Sequence, residues 1–147
     1  MPKKETVLLE RFYDTDNKYE ICIDEAGRGC LFGRVYVACV VLPKDPSLFD
    51  GTNIKDSKKF SSKKKLKETA EYIKQNALYW KVEYLEADVI DDINILKSVM
   101  RGMHSCIRNT IHSICEDSPT NVTDITAIVD GNYFTPYMLF DEDKQAL

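Results

Sequence analysis

Histidine is scarce in this chain: His104 and His112 are the only two, and both fall in one helically spaced segment. Packing or surface roles suit them better than catalysis. The five cysteines (Cys22, Cys30, Cys39, Cys106 and Cys115) are odd in number, form no CxxC pair and have no histidine beside them. That excludes the usual zinc spacings and a disulfide framework, and leaves reduced cysteines acting as small apolar side chains. No apolar run reaches the length of a membrane span, so no membrane partner is expected. The start, Met1-Pro2-Lys3-Lys4-Glu5, lacks the apolar core of a signal peptide, which leads to the expectation of a cytoplasmic protein. Internal repeats and low-complexity segments are absent too. What remains is a chain of 147 residues, 44% hydrophobic and 30% charged, enough for one domain around a single core and expected to act as a monomer.

The net charge of −4 argues against a nucleic-acid partner until its distribution is considered. Seven of the 20 basic residues lie between Lys55 and Lys67, at 55, 58, 59, 63, 64, 65 and 67, against one acid, Asp56. A concentrated basic stripe on an acidic protein is either a solvated helix start or an electrostatic footprint. These lysines sit near the N-terminal end of a predicted helix, where the macrodipole disfavours positive charge. An anion that visits them would explain the placement.

Residues 1–18 are polar apart from Val7-Leu8-Leu9 and Phe12-Tyr13, and read as an arm or short helix. Tyr19 to Ile23 and Val35 to Leu42 read as strands. Ser61 or Ser62 is a plausible N-cap for a helix running to about Asn76, with the stripe Leu66, Ala70, Ile73 and Ala77. Leu78 to Leu85 alternates as a third strand. One long helix is expected from about Ala87 to Ile114, because Ile90, Ile93, Leu96, Met100, Met103, Ile107, Ile111 and Ile114 keep three-or-four spacing throughout. Ile125 to Val129 is a fourth strand. The order strand, strand, helix, strand, helix, strand predicts an α/β fold: a hairpin extended by parallel strands into a mixed sheet flanked by helices.

Two of these strands run into acids, ICI-Asp24-Glu25 and AIV-Asp130. Adjacent ionised carboxylates repel, and cations offset the repulsion best. Strand-end carboxylates that converge at one edge of a sheet can bind Mg²⁺ or Mn²⁺ through oxygen; the alternative is that all three are ordinary turn acids. No histidine or serine stands in a nucleophile setting, so a hydrolase built here would use water held by metal. Gly27 and Gly29 allow close backbone approach, and Arg28 between them offers a planar donor fork for phosphate.

The blocks IDEAGRGCLFGRVYVACVVLP, DSKKFSSKKKLKE, INILKSVMRGM and IVDGN together resemble the type 2 ribonuclease H (ribonuclease HII) family, in that family's order over roughly residues 19–147. The resemblance implies an RNase H-like catalytic domain over 19–147 behind an N-terminal arm at 1–18. It implies divalent-metal-dependent cleavage of the RNA strand of RNA–DNA hybrids. Incision 5′ of ribonucleotides embedded in DNA duplexes is implied as well, leaving a 5′-phosphate and a 3′-hydroxyl. Asp24, Glu25 and Asp130 match three of the family's four metal-binding carboxylates, which hold two Mg²⁺ or Mn²⁺ ions. Gly27, Arg28 and Gly29 match the loop that reads the ribose 2′-hydroxyl, the group that separates RNA from DNA. Lys58 and Lys59 match lysines that face the substrate backbone.

Cys30 and Arg34 stand where the family usually has prolines, a change expected to alter loop stiffness more than chemistry. After VDGN, the family continues to a strand carrying a fourth aspartate, a helix and a junction tyrosine. None of these has a counterpart before Leu147, so the sheet is expected to be incomplete at the C-terminus, and Asp141, Glu142 and Asp143 do not match the motif. Three carboxylates against two divalent ions predict weak activity for this chain alone. A non-catalytic remnant that binds nucleic acid is the competing reading. Another RNase H-like nuclease, of the resolvase or transposase type, is disfavoured by the GRG and DSKK blocks.

Overall fold

Alternation of buried and exposed side chains builds the sheet. In the computed structural model, which describes residues 11–138, β1 (Tyr19–Ala26) buries Ile21 and Ile23, and β2 (Val35–Val41) buries Val35, Val37, Cys39 and Val41. Successive strand side chains point to opposite faces, so these residues all line one face. β3 (Tyr79–Leu85) pairs antiparallel with β2, β2 antiparallel with β1, and β4 (Ile125–Val129) parallel with β1. The spatial order is β3-β2-β1-β4, the expected mixed sheet: a hairpin with a parallel strand added beside β1. Residues Val7 to Leu9 and Asp141 to Asp143 lie outside the described residues.

Two boundaries differ from the sequence reading. β1 does not end at Ile23; its ladder with β2 continues through Asp24, Glu25 and Ala26, the last opposite Tyr36. The carboxylates are therefore strand residues with fixed directions, and do not belong to the turn. The long helix is also two helices, α2 (Ala87–Ile93) and α3 (Ile95–Asp117), separated by Asn94 at φ 69°. Asparagine tolerates positive φ better than most residues. Its side-chain oxygen accepts from the Lys97 N–H at 3.0 Å, restarting the helix with a cap. The apolar periodicity runs through the break because spacing registers neither a cap nor a change of φ.

α3 supplies the cover for the buried face. Val99, Met100, Met103, Cys106, Ile107 and Ile114 are buried against the strands, each such side chain worth about 1.5–3 kcal/mol of burial. Ser98, Gly102 and Thr110 share that face, which is broader than the isoleucine–methionine stripe suggests. The thiol of Cys39 lies 3.0 Å from the Thr110 hydroxyl, and the Cys106 thiol donates to the Val37 carbonyl. Cys39 and Cys106 are buried as small apolar side chains, whereas Cys22, Cys30 and Cys115 are exposed, Cys22 on the other face of the sheet.

Residues 11–18 form no helix; they are tied down by a buried acid. Glu20 accepts from the Tyr13 and Asp14 N–H groups at 3.0 and 2.7 Å, with the Lys44 ammonium 3.7 Å away. That ammonium also donates to the Asp14 and Asn17 carbonyls. A charge so placed is tolerable because it is both paired and hydrogen-bonded.

α1 (Lys63–Asn76) starts where the sequence indicated, with the Ser62 hydroxyl accepting from Lys65 N–H at 3.2 Å. None of its residues is buried. Ala70 and Ile73 face the second side of the sheet across an apolar space of about 630 Å³, lined there by Val40, Trp80, Val82 and Ile128.

The contact between α3 and the sheet is tightest at Gly102. A Cβ there would lie 2.8 Å from Val37 Cγ2 and 3.1 Å from Leu85 Cδ2. Val37 is fully buried and branched at Cβ, so it has little room to yield. Gly102→Val is expected to cost roughly 2–3 kcal/mol through overpacking. Urea denaturation measures this, and an unchanged midpoint would contradict the close seating.

Candidate metal edge and nucleic-acid interface

Parallel pairing of β1 with β4 brings Asp24 and Asp130 together. Ile23 lies opposite Val129, and the Asp130 N–H donates to the Ile23 carbonyl at 2.9 Å. Asp24, inside β1, and Asp130, directly after β4, therefore stand level with each other on neighbouring strand paths. Asp24 points away from α3, on the side of the sheet opposite Ile23. Desolvation holds its carboxyl above the ordinary aspartate value. A hydrogen bond from the Glu25 N–H opposes this, the charges of Asp130 and Glu25 reinforce it, and Lys58 counteracts it. Asp130 and Lys58 are thus both within electrostatic reach of Asp24.

Glu25 stands one residue further along β1 and is half-buried. Its carboxylate lies 3.3 Å from the Arg28 guanidinium. Among the described residues, no three histidine, cysteine, aspartate or glutamate side chains come close enough to hold a metal ion together. The edge presents Asp24 and Asp130 as neighbours, with Glu25 engaged by Arg28 instead of completing a three-acid cage.

The two glycines of the GRG turn serve different needs. Gly27 has φ +93°, and a Cβ there would sit 2.9 Å from the Arg34 carbonyl. The fold itself demands glycine at this position. Gly29 has no positive φ and nothing within 4 Å of its would-be Cβ, so its bare backbone faces open space. Arg28 is about half exposed and hydrogen-bonded only to Glu25 among the described residues.

Lys58 and Lys59 of the lysine stripe lie in a short 3₁₀ turn, Ser57–Lys59, capped by the Asp56 carboxylate accepting from the Lys58 N–H at 2.9 Å. Lys58 and Lys59 project from this turn as exposed side chains. The seven lysines of the stripe are all exposed, and among the described residues only Lys64 forms a salt bridge, a 3.8 Å surface pair with Glu68.

One functional contact escaped the sequence reading. Arg34 makes a two-pronged pair with Glu86, at 2.6 and 2.8 Å, and its guanidinium stacks 4.4 Å from the Tyr84 ring centre. The arginine in a proline position therefore has its own means of fixing the loop between β1 and β2. Its departure from the family pattern was the available signal; Glu86, 52 residues away, carried none.

The glycine geometry gives a paired expectation. Gly27→Ala should lose roughly 1–3 kcal/mol from backbone strain, whereas Gly29→Ala should melt close to the parent chain. Thermal unfolding of the two variants checks this. Equal losses would show that Gly29 is structural as well.

Comparison with known proteins agrees with these features. The profile of the family described as Ribonuclease HII matches residues 21–138. Ribonuclease HII of Parabacteroides distasonis is 38% identical over 125 residues, covering 85% of this chain and 56% of that protein. That of Porphyromonas gingivalis is 35% identical over 131 residues, covering 89% and 58%. The chain thus spans somewhat over half the length of these relatives. In the solved structure of the PCNA:RNase HII complex from Archaeoglobus fulgidus, one chain superposes with a TM-score of 0.53 at 23% identity, covering 76% of this chain and 62% of that one. This likeness shows a shared RNase H-like fold. With the family profile matched over most of its length, the chain belongs to the ribonuclease HII family.

Proposed function

We propose that this chain carries the metal-binding edge and part of the substrate surface of a ribonuclease HII. The activity is divalent-metal-dependent cleavage of RNA in RNA–DNA hybrids and 5′ of ribonucleotides embedded in DNA duplexes. The products are a 5′-phosphate and a 3′-hydroxyl. The observation that carries the reading is the side-by-side placement of Asp24 on β1 and Asp130 directly after the parallel strand β4.

The donor chemistry fits a hard cation. Asp24 and Asp130 offer carboxylate oxygens, the ligands Mg²⁺ and Mn²⁺ prefer. The raised proton affinity of Asp24, caused by desolvation and by its acidic neighbours, describes a site short of positive charge. Asp24 and Asp130 would hold the ion; Glu25 leaves β1 on the opposite face, paired with Arg28, and would reach it only around the end of the strand. A divalent ion at this edge supplies Lewis-acid stabilisation of the phosphodiester oxygens. The chain's own groups do the rest. Lys58 and Lys59 neutralise backbone phosphates, Arg28 offers its fork to a phosphate or sugar oxygen, and Gly29 lets the backbone approach the ribose 2′-hydroxyl.

The second reading, a nucleic-acid-binding protein without turnover, draws on the absence of an assembled three-acid cluster among the described residues. An incision assay with Mg²⁺ or Mn²⁺ on a DNA duplex containing one ribonucleotide separates the two. We expect weak but measurable incision that falls at least about tenfold in Asp24→Asn and in Asp130→Asn, as loss of an ion-holding charge predicts. Complete inactivity with intact duplex binding would favour the second reading.

Stability reports on the acids independently of turnover. The folded chain holds the Asp24 proton more tightly than the unfolded chain does. Ionisation therefore costs stability; the cost is fully present above the folded-state value and disappears as pH falls below the unfolded one. In chelator at neutral pH, Asp24→Asn should raise the melting temperature slightly, by roughly 1–2 °C, since the site is largely solvent-screened. Added Mg²⁺ should stabilise the parent chain and do so less in the variant. A lower melting temperature for Asp24→Asn in chelator would contradict the electrostatic account.

The lysines are tested by salt. If both contact phosphates of a duplex, Lys58→Ala with Lys59→Ala should flatten the dependence of log affinity on log salt by roughly 2. An unchanged slope would return the stripe to a solvated helix start.

A further inference from the structure

A second basic surface lies on the other side of the sheet from the lysine stripe. Between α3, the end of β3 and residues 133–137 is a groove of about 730 Å³. Lys97, Arg101 and Arg108 line it from one face of α3, spread over about 16 Å of helix. All three side chains are exposed, and none takes part in a salt bridge among the described residues. The acid in the lining, Glu83, already accepts from Asn109 at 2.8 Å. Three cations on one helix face with no ion-pair partner among the described residues repel one another, and a bound polyanion would offset that repulsion.

The groove also carries an aromatic ring. Tyr133, only three residues beyond Asp130, lines it and is 55% exposed. Its neighbours along the chain are held in place: His104 on α3 stacks edge-on against Phe134 and tilts against Tyr137, at 5.2 and 5.4 Å between ring centres, and its Nε2 lies 2.9 Å from the Thr135 carbonyl. Tyr133 is thus presented from an anchored segment. A row of cations beside an open ring is the arrangement that receives a single nucleic-acid strand, with phosphates on the cations and a base on the ring. A duplex suits it less, since its bases are stacked away from a side-wall tyrosine.

We propose that this groove binds single-stranded nucleic acid, with Lys97, Arg101 and Arg108 on backbone phosphates and Tyr133 under a base. It is a separate surface from the metal edge: Asp24, Asp130, Lys58 and Lys59 are absent from its lining. The proposal therefore stands or falls independently of the cleavage reading. The strand end of β3 lies level with the acidic end of β1, through the pairs Tyr36 with Tyr84 and Ala26 with Tyr36. A strand held in the groove would consequently run toward the same end of the sheet as Asp24.

The test is fluorescence anisotropy of the full chain with a labelled oligodeoxythymidylate, titrated over a range of salt without divalent ions. Replacing Lys97, Arg101 and Arg108 together by glutamine should weaken single-strand binding at least about tenfold and flatten the log–log salt slope by roughly 2. Tyr133→Ala should weaken binding roughly tenfold with the slope unchanged, as loss of stacking without loss of charge requires. An unchanged slope in the triple variant overturns the proposal. So does displacement of the oligonucleotide by low millimolar inorganic phosphate, which would make the groove a small-anion pocket. Circular dichroism controls for folding; if the triple variant melts early, the Tyr133→Ala affinity decides, and no loss there overturns the proposal.

Discussion

The hydrogen bond from the Asp130 N–H to the Ile23 carbonyl, 2.9 Å long, fixes how far β4 reaches along β1. Everything proposed for the acidic edge depends on that offset. Side chains alternate along a strand, so a slip of one residue would send Asp130 to a different level and swap the faces of Ile125 to Val129. Few contacts enforce the register. β4 has five residues, none fully buried, and it forms the edge of the sheet as described. Its entry is set by the Lys18 N–H donating to the Asp124 carbonyl at 2.9 Å, and Lys18 belongs to the segment that Glu20 anchors. The buried glutamate thereby contributes to the position of an aspartate more than a hundred residues away.

The same dependence runs through α3. This helix carries the chain from β3 at one edge of the sheet to β4 at the other, crossing over the buried face. Its 23 residues span about 34 Å, enough to return the chain to the end of the sheet where a parallel strand must begin. Gly102 lets the helix lie close to Val37 and Leu85, and Asn94 sets where it starts. Both determine where β4 can enter, and through it where Asp130 stands.

Much of this was legible from residue pattern. The four strands, the helix capped by Ser62 and the edge bearing Asp24 and Asp130 follow from alternation, capping chemistry and strand-end acids. The interruption at Asn94 was not legible, because isoleucine and methionine spacing persists across it. The direction of Glu25 was hidden for a related reason. Reading β1 as ending at Ile23 left both acids at the strand's end without a defined face; the ladder to Ala26 gives them opposite ones. Gly27 and Gly29 looked equivalent in sequence, and only the Arg34 carbonyl beside Gly27 separates a steric requirement from open space. Long-range partners, such as Glu86 for Arg34 and Glu20 for the arm, leave no local trace.

Arg34 illustrates how the loop can keep its shape after losing a proline. Proline limits a loop through its own ring, at no cost in partners and without regard to solvent. Arg34 relies on Glu86 and the Tyr84 face instead, contacts that are exposed and therefore weakened by salt. Glu86 is also the residue that precedes α2, so the pair ties the glycine-containing turn to the start of the helical crossover. Stiffness in this loop is shared with the element that leads to α3 and β4. The pair thus ties the turn beside the carboxylates to the start of the helical crossover, and ionic strength acts on that tie as well as on the lysines that would hold the substrate.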